Sequence, residues 1–283
     1  MNGLINLYKP AGMTSFSAVA RVRRILGEKK VGHGGTLDPE ATGILPICVG
    51  KGTRCADYFL LQPKTYRAEL TFGLATDTGD IWGTVIEEQD ASFVTEEMFT
   101  AILPKFVGEI EQLPPAYSAL KIGGVPAYKL ARKGQTPELA PRKIRIYEIT
   151  LLGFGGGKAS IEVTCGRGTY IRTLCEDLAK ALGTCATMSS LERISYGPFH
   201  KAQAVTLEAL EQNPVLLPLD LILTHLPRVE LYGKEEDNYR HGRPTRILED
   251  FTGECRVYGA DGGLIGVGLA ESGGLRGVKY LEE

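Results

Sequence analysis

One stretch limits the folds and chemistries open to this chain more than any other: Gly32-His33-Gly34-Gly35-Thr36-Leu37-Asp38-Pro39-Glu40-Ala41-Thr42-Gly43-Ile44-Leu45-Pro46. It sets Asp38 in a glycine-rich loop that runs straight into an apolar segment at 44–49. Pro39 biases Asp38 toward extended backbone angles. Gly34, Gly35 and Gly43 permit tight turns and close approach of another molecule. Such a loop can hold an acid at the floor of a cleft. The same residues also read as a helix start, with Asp38 as N-cap, Pro39 at the first helical position and Glu40 in the first turn. The two readings are compatible, because free backbone N–H groups beside a carboxylate favour its ionised form.

With 283 residues the chain can form one large and one small domain. A chain of this size buries about three quarters of its unfolded surface without covalent staples. Its apolar stretches at 44–49 and 215–223 are too short or too interrupted to span a bilayer. Residues 1–10 lack the basic-then-apolar pattern of a signal peptide, so a cytoplasmic location with no membrane partner is expected. Six cysteines form no C-x-x-C pair and four histidines form no ligand cluster. No metal is therefore expected, and the thiols should be free and mostly buried. Net charge is only −2, but its distribution is uneven. Residues 1–70 carry ten Lys/Arg against five Asp/Glu, 71–120 one against nine, and 121–150 seven against two. Two basic blocks flanking an acidic one suit a chain that tracks phosphates, and equally suit solvated faces with no partner.

Helical periodicity with Phe16, Val19, Val22, Ile25 and Leu26 predicts a helix over 14–26, closed by Gly27. A buried strand is expected at 44–49. Alternation at 66–73 predicts a half-buried strand with Tyr66 facing inward. Thr95 caps a helix reaching about 106, disturbed at Pro104. Residues 112–143 read as a long Pro-, Gly-, Tyr- and Lys-rich excursion with a short helix near 127–132. Strands at 145–152 and 160–165 should pair around a glycine turn at 153–157. Ile171, Leu174, Cys175, Leu178 and Leu182 mark a helix over 170–182. A strand at 188–196, a capped helix at 206–212 and a short helix at 233–242 complete the reading. Asp261-Gly262 joins a C-terminal hairpin of 256–260 and 264–269.

The loop around Asp38 resembles the catalytic-loop motif of TruB-type pseudouridine synthases, G-H-x-G-x-L-D-P-x-A-x-G-x-L-P, with every fixed position matched. The resemblance extends through most of the chain. It includes Gly168-Thr169-Tyr170-Ile171-Arg172, Lys64-Thr65-Tyr66-Arg67, Ser190-Leu191-Glu192-Arg193 and the N-terminal Lys9-Pro10-x-Gly12-x-Thr14-Ser15. It implies an α+β fold with a mixed, largely antiparallel central sheet, flanking helices and a thumb-like insertion at 112–143. Residues 1–225 would form this catalytic domain and 226–283 a small β-rich pseudo-barrel, PUA-like and RNA-binding. The implied activity is isomerisation of uridine 55 in the T loop of tRNA, on a flipped-out nucleotide. Nothing is added or lost, so no cofactor is implied.

In that scheme Asp38 is the nucleophile, which must be ionised. Arg172 is its charge partner, able to bind it bidentately. Tyr66 stacks on the uracil and is a candidate for proton transfer. Tyr170 and Leu191 line the base pocket, and His33 stacks on RNA in the space the flipped nucleotides vacate. The N-terminal motif is architectural. The basic segments 21–30 and 121–145 would grip phosphates. The partner implied is the tRNA T arm, with no DNA and no guide RNA, and the protein a monomer. Asp77 and Asp80 raise a glycosidase-like alternative of paired acids. A tRNA-binding or folding protein with incidental catalysis is a second alternative. A guide-dependent rRNA modifier of the archaeal–eukaryotic branch is a third, disfavoured by the compact length, the standalone insertion at 112–143 and the absence of charged tails. A nucleotide-phosphate enzyme lacks the required G-x-x-x-x-G-K-[ST].

Overall fold

The computed structural model describes residues 1–118, 120–131, 133–135 and 139–282. Arg132, counted above in a basic block and at the end of an expected helix, lies outside the described residues, as does Ala119 of the insertion. The chain opens with β1 (Gly3–Lys9), α1 (Ser15–Leu26), β2 (Val31–His33), β3 (Thr42–Val49), α2 (Ala56–Leu60) and β4 (Lys64–Phe72). A hairpin of β5 (Leu74–Thr76) and β6 (Val85–Glu88) follows, then α3 (Glu96–Ile102) and β7 (Gly108–Gln112). The insertion carries a small ribbon, β8 (Lys121–Ile122) and β9 (Val125–Pro126), and α4 (Ala127–Ala131). Next come β10 (Arg142–Gly155), β11 (Lys158–Cys165), α5 (Ile171–Ala181), β12 (Ala186–Tyr196), β13 (Phe199–His200) and α6 (Leu207–Gln212). The last segment holds β14 (Arg228–Glu230), α7 (Gly233–Arg240), β15 (Thr245–Arg246), β16 (Gly253–Tyr258), β17 (Leu264–Glu271) and β18 (Gly274–Tyr280).

Among the described residues nine strands form one sheet in the order β1-β3-β12-β4-β11-β10-β7, with β2 on β3 and β13 on β12. Within it only β3 and β12 run parallel. They meet at Gly43 opposite Arg193, where φ is +105° and a Cβ would stand 2.2 Å from the Arg193 carbonyl oxygen. Only glycine permits that approach. β4 alternates as expected, burying Tyr66, Ala68, Leu70 and Phe72. Those residues join α1, α3, α5 and α6 in the main apolar core.

β1 and β3 are buried on both faces. Ile5, Leu7, Leu45, Ile47 and Val49 enter the main core, while Leu4, Ile44 and Cys48 enter a second one. That explains an apolar run without alternation. The second core includes Tyr58, Phe59, Tyr196 and Phe199, and also Val267 and Leu281 of the C-terminal segment. That segment is a curled five-stranded sheet in the order β14-β16-β17-β18-β15, with its own apolar cluster.

Several expectations are corrected. Asp38 caps no helix; its carbonyl accepts a turn bond from the Ala41 N–H at 3.2 Å, and the chain passes directly into β3. Phe16 is 71% exposed, because α1 buries Ser15, Ala18, Val19 and Val22 instead. The helix expected to reach 106 changes to a 3₁₀ turn at Leu103, beside Pro104. The excursion is shorter than expected at both ends: Gln112 closes β7 and Arg142 opens β10, as cross-strand partners.

Candidate active site

Asp38 projects into a cavity of about 600 Å³ lined by Tyr66, Asp80, Tyr170, Arg172 and Leu191, among others. That volume falls in the usual range for ligand sites. The loop beneath Asp38 is gripped at successive backbone positions. The Tyr196 hydroxyl donates to the Gly34 carbonyl at 3.0 Å. Arg193 Nη2 donates to the Gly35 carbonyl at 3.0 Å, and Arg193 Nε to the Ile44 carbonyl at 2.7 Å. Ser15 Oγ both accepts from the Leu37 N–H at 2.9 Å and donates to the Leu37 carbonyl at 3.0 Å. Lys9 Nζ donates to the carbonyls of Pro10, Met13 and Pro39 at 2.8, 2.7 and 2.9 Å. The N-terminal motif therefore clamps both sides of Asp38, an architectural role as expected. A carboxylate on so fixed a loop is held in position before substrate arrives.

Arg172 faces it from the first turn of α5. Its Nε lies 3.1 Å from Asp38 Oδ2, with the arginine side chain 7% exposed and the aspartate 40% exposed, open to the cavity. The expected bidentate pairing is corrected, because the two terminal nitrogens are engaged elsewhere. Nη1 donates to the Thr78 carbonyl at 2.8 Å and Nη2 to the Tyr117 carbonyl at 2.9 Å. Asp80 Oδ2 stands 4.0 Å from Nη1, so two acids share one guanidinium. Asp77 does not line the cavity; its Oδ1 accepts from the Thr84 N–H in a turn.

Tyr66 is 8% exposed and forms part of the cavity wall. Burial raises its phenol above the ordinary value, more than the nearby Arg193 charge lowers it, so a neutral hydroxyl is presented at neutral pH. Tyr170 is the extended residue immediately before α5, and Gln112 brackets its backbone: Nε2 donates to the Tyr170 carbonyl at 3.1 Å while Oε1 accepts from its N–H at 2.8 Å. Leu191 sits on β12 within the cavity wall.

His33 is the exception among the expected residues. It lies on β2 and is not part of the cavity wall, and its buried Nδ1 has no hydrogen-bond partner among the described residues. Burial, with the Arg193 charge, lowers its pKa and leaves a neutral ring.

Two structural residues were missed in sequence. Arg193 is 1% exposed, makes no ion pair among the described residues and stacks its guanidinium over the Tyr196 ring at 4.7 Å. Its charge lowers Lys9 and Lys64, but burial is the larger cause in bringing each to about 8. Gln112 is the second. Neither role leaves a local signal, since the side-chain hydrogen-bond partners lie 58 to 158 positions away.

The model of the TruB family pseudouridylate synthase N-terminal domain matches residues 23–171, and that of the tRNA pseudouridylate synthase B C-terminal domain matches 172–224. This chain belongs to the TruB family. It is a pseudouridine synthase, an isomerase. The chain is 44% identical over 282 residues to tRNA pseudouridine synthase B of Azoarcus sp. (strain BH72), covering 98% of this chain and 93% of that one. It is 41% identical to the protein of the same name from Clostridium perfringens (strain SM101 / Type A), with both chains fully covered. Among solved structures, a Cbf5-Nop10-Gar1 complex superposes with TM-score 0.75 at 26% identity, over 99% of this chain and 85% of that one. An H/ACA RNP bound to a substrate RNA containing 2'-deoxyuridine gives TM-score 0.73 at 25% identity, with the same coverages. The central sheet, flanking helices and C-terminal β segment are those of this TruB-family enzyme fold.

Proposed function

We propose that this TruB-family enzyme converts uridine 55 in the T loop of tRNA to pseudouridine, with Asp38 as nucleophile and no cofactor. The observation that carries the reading is a rigidly held carboxylate, paired with a buried arginine, inside a cavity roomy enough to admit a nucleoside. The net reaction breaks the bond from ribose C1′ to N1 and makes one from C1′ to C5. The C5 proton leaves and N1 gains one, so nothing external is consumed. Asp38 supplies the electron pair that holds the sugar or base while the uracil turns. Arg172 keeps that carboxylate oriented, and its fixed positive charge offsets the charge on the nucleophile. Tyr66 stacks on the loose base and its neutral hydroxyl relays a proton there. Tyr170 and Leu191 wall the pocket.

Extruding the uridine costs a few kcal/mol, offset by contacts to the base and to the backbone. Exposed Arg24, Lys29 and Lys30 supply phosphate contacts on one side. Arg21 and Arg23 are less available: Arg21 pairs with Glu208 at 3.2 Å and Arg23 donates to the Val31 carbonyl. Lys129, Lys133 and Arg142 serve on the insertion side. His33 would meet RNA outside the uridine cavity. Residues 1–225 act as the catalytic unit and 226–283 as an RNA-binding PUA-like unit. The chain works as a monomer in the cytoplasm without a guide RNA, and its own insertion at 113–141 reaches the catalytic arginine through Tyr117. Incubating the purified protein with an unmodified T-arm stem–loop, without added cofactor, should yield pseudouridine at the position of uridine 55 alone. RNA that is bound but unmodified, or modified elsewhere, would contradict the reading.

A further inference from the structure

Trp82 is the sole tryptophan of the chain. It is 53% exposed, belongs to none of the apolar cores and lines the same cavity as Asp38. Tyr66, at 8% exposure, is deep in that cavity, so the indole marks its mouth. The turn beneath the indole is held firmly. The Ile81 N–H donates to the Met188 carbonyl at 2.9 Å and the Gly83 N–H to the Asp80 carbonyl at 3.1 Å. Thr76 Oγ1 donates to the Asp80 carbonyl at 2.6 Å, and Thr78 Oγ1 to Asp80 Oδ1 at 2.7 Å. A large aromatic face is thus kept in water on a rigid support, where burial elsewhere would be favourable. The cavity is larger than one pyrimidine nucleoside fills.

We infer that Trp82 is the stacking platform for a second nucleobase, one that flanks the target uridine in the extruded strand. The inference rests on the RNA reading given above. Aromatic rings accept any base on their π face, and each such stack contributes substantially to single-strand binding. Asp80 lines the cavity on the same turn and Asp77 is exposed on that turn outside the cavity wall, and both carboxylates repel phosphate. A neutral base, rather than the backbone, is the part of RNA that fits there.

The test uses Trp82→Ala and Trp82→Phe with three T-arm stem–loops: intact, and abasic on either side of the target uridine. The intact RNA should quench the intrinsic fluorescence of the wild type. Trp82→Ala should weaken its binding between about fivefold and a hundredfold, and Trp82→Phe by less than about threefold. One abasic RNA should weaken wild-type binding by a similar factor and cost Trp82→Ala nothing further. Unchanged affinity of Trp82→Ala, or losses that multiply independently for both abasic RNAs, overturns the inference. Failure of the wild type to modify the intact RNA would overturn the functional reading itself, whereas normal modification with an unaffected Trp82→Ala overturns only the stacking role.

Discussion

Arg193 holds the backbone that carries Asp38, and this is where single residues matter most outside the cavity. Its fork satisfies the carbonyls of Gly35 and Ile44 from a nearly inaccessible position. Arg193→Lys keeps the charge and loses the fork. Each carbonyl left without a donor costs about 1–3 kcal/mol. The variant should lose about 2–4 kcal/mol in urea unfolding, and turnover should fall at least about tenfold with RNA affinity nearly unchanged. Turnover at the wild-type level would show that the loop needs no such anchor. Asp38, Arg172, Tyr66, Tyr170 and Leu191 were legible because each sits in a short motif, and the fold brings all five to one cavity. Arg193 stands within one of those motifs, but its anchoring role is not legible there, since burial and distant carbonyl partners leave no local trace. For the same reason sequence could not reveal that the Arg172 fork is divided among Asp38, Thr78 and Tyr117.

The insertion between β7 and β10 is the element whose role is easiest to isolate. None of the described residues in 113–141 belongs to the three apolar cores, yet Tyr117, Ser118 and Tyr128 line the cavity. Gln112 and Arg142 face each other across the ladder, so an Asn-Gly turn can replace 113–141. The shortened protein should keep its fold by circular dichroism and bind the T arm at least about tenfold more weakly, equivalent to about 1.4 kcal/mol. Turnover should fall as well, because Arg172 loses the Tyr117 carbonyl. Equal affinity after the replacement would contradict the gripping role. The β4 alternation and the α5 stripe were readable because each buries one face. β1 was not recognised as a strand, being buried on both faces without alternation. β7 escaped too, its Glu109 and Glu111 giving it the look of a polar loop.

At the scale of the molecule, the pairing order of the sheet and the docking of the C-terminal segment depend on contacts that no local pattern encodes. Lys279 reaches Asp57 at 2.5 Å, the Tyr58 hydroxyl donates to Glu254 at 2.9 Å, and Arg256 pairs with Asp220 at 2.9 Å. The buried titratable groups also act collectively. All six cysteines are free and buried, as expected. Burial raises Cys55, Cys165 and Cys255 from 9.0 to about 11, Cys48 to about 12, and Cys175 as well. Above pH 9 the unfolded chain releases these protons while the native state keeps them, so stability falls as pH rises. Lys9 and Lys64, lowered from 10.5 to about 8, act in the opposite sense between those values. They are outnumbered once the thiols titrate. The melting temperature in reducing buffer should therefore rise slightly to about pH 9 and decline toward about pH 11; a continued rise to pH 11 would show that the thiols are not buried as described. All of this structure converges on one carboxylate. The most direct test is single-turnover pseudouridine formation on the T-arm stem–loop by wild type and Asp38→Asn, with RNA affinity measured for both. The substitution should leave affinity within about threefold and lower the rate by at least about a thousandfold; an Asp38→Asn enzyme that converts uridine near the wild-type rate would contradict the account.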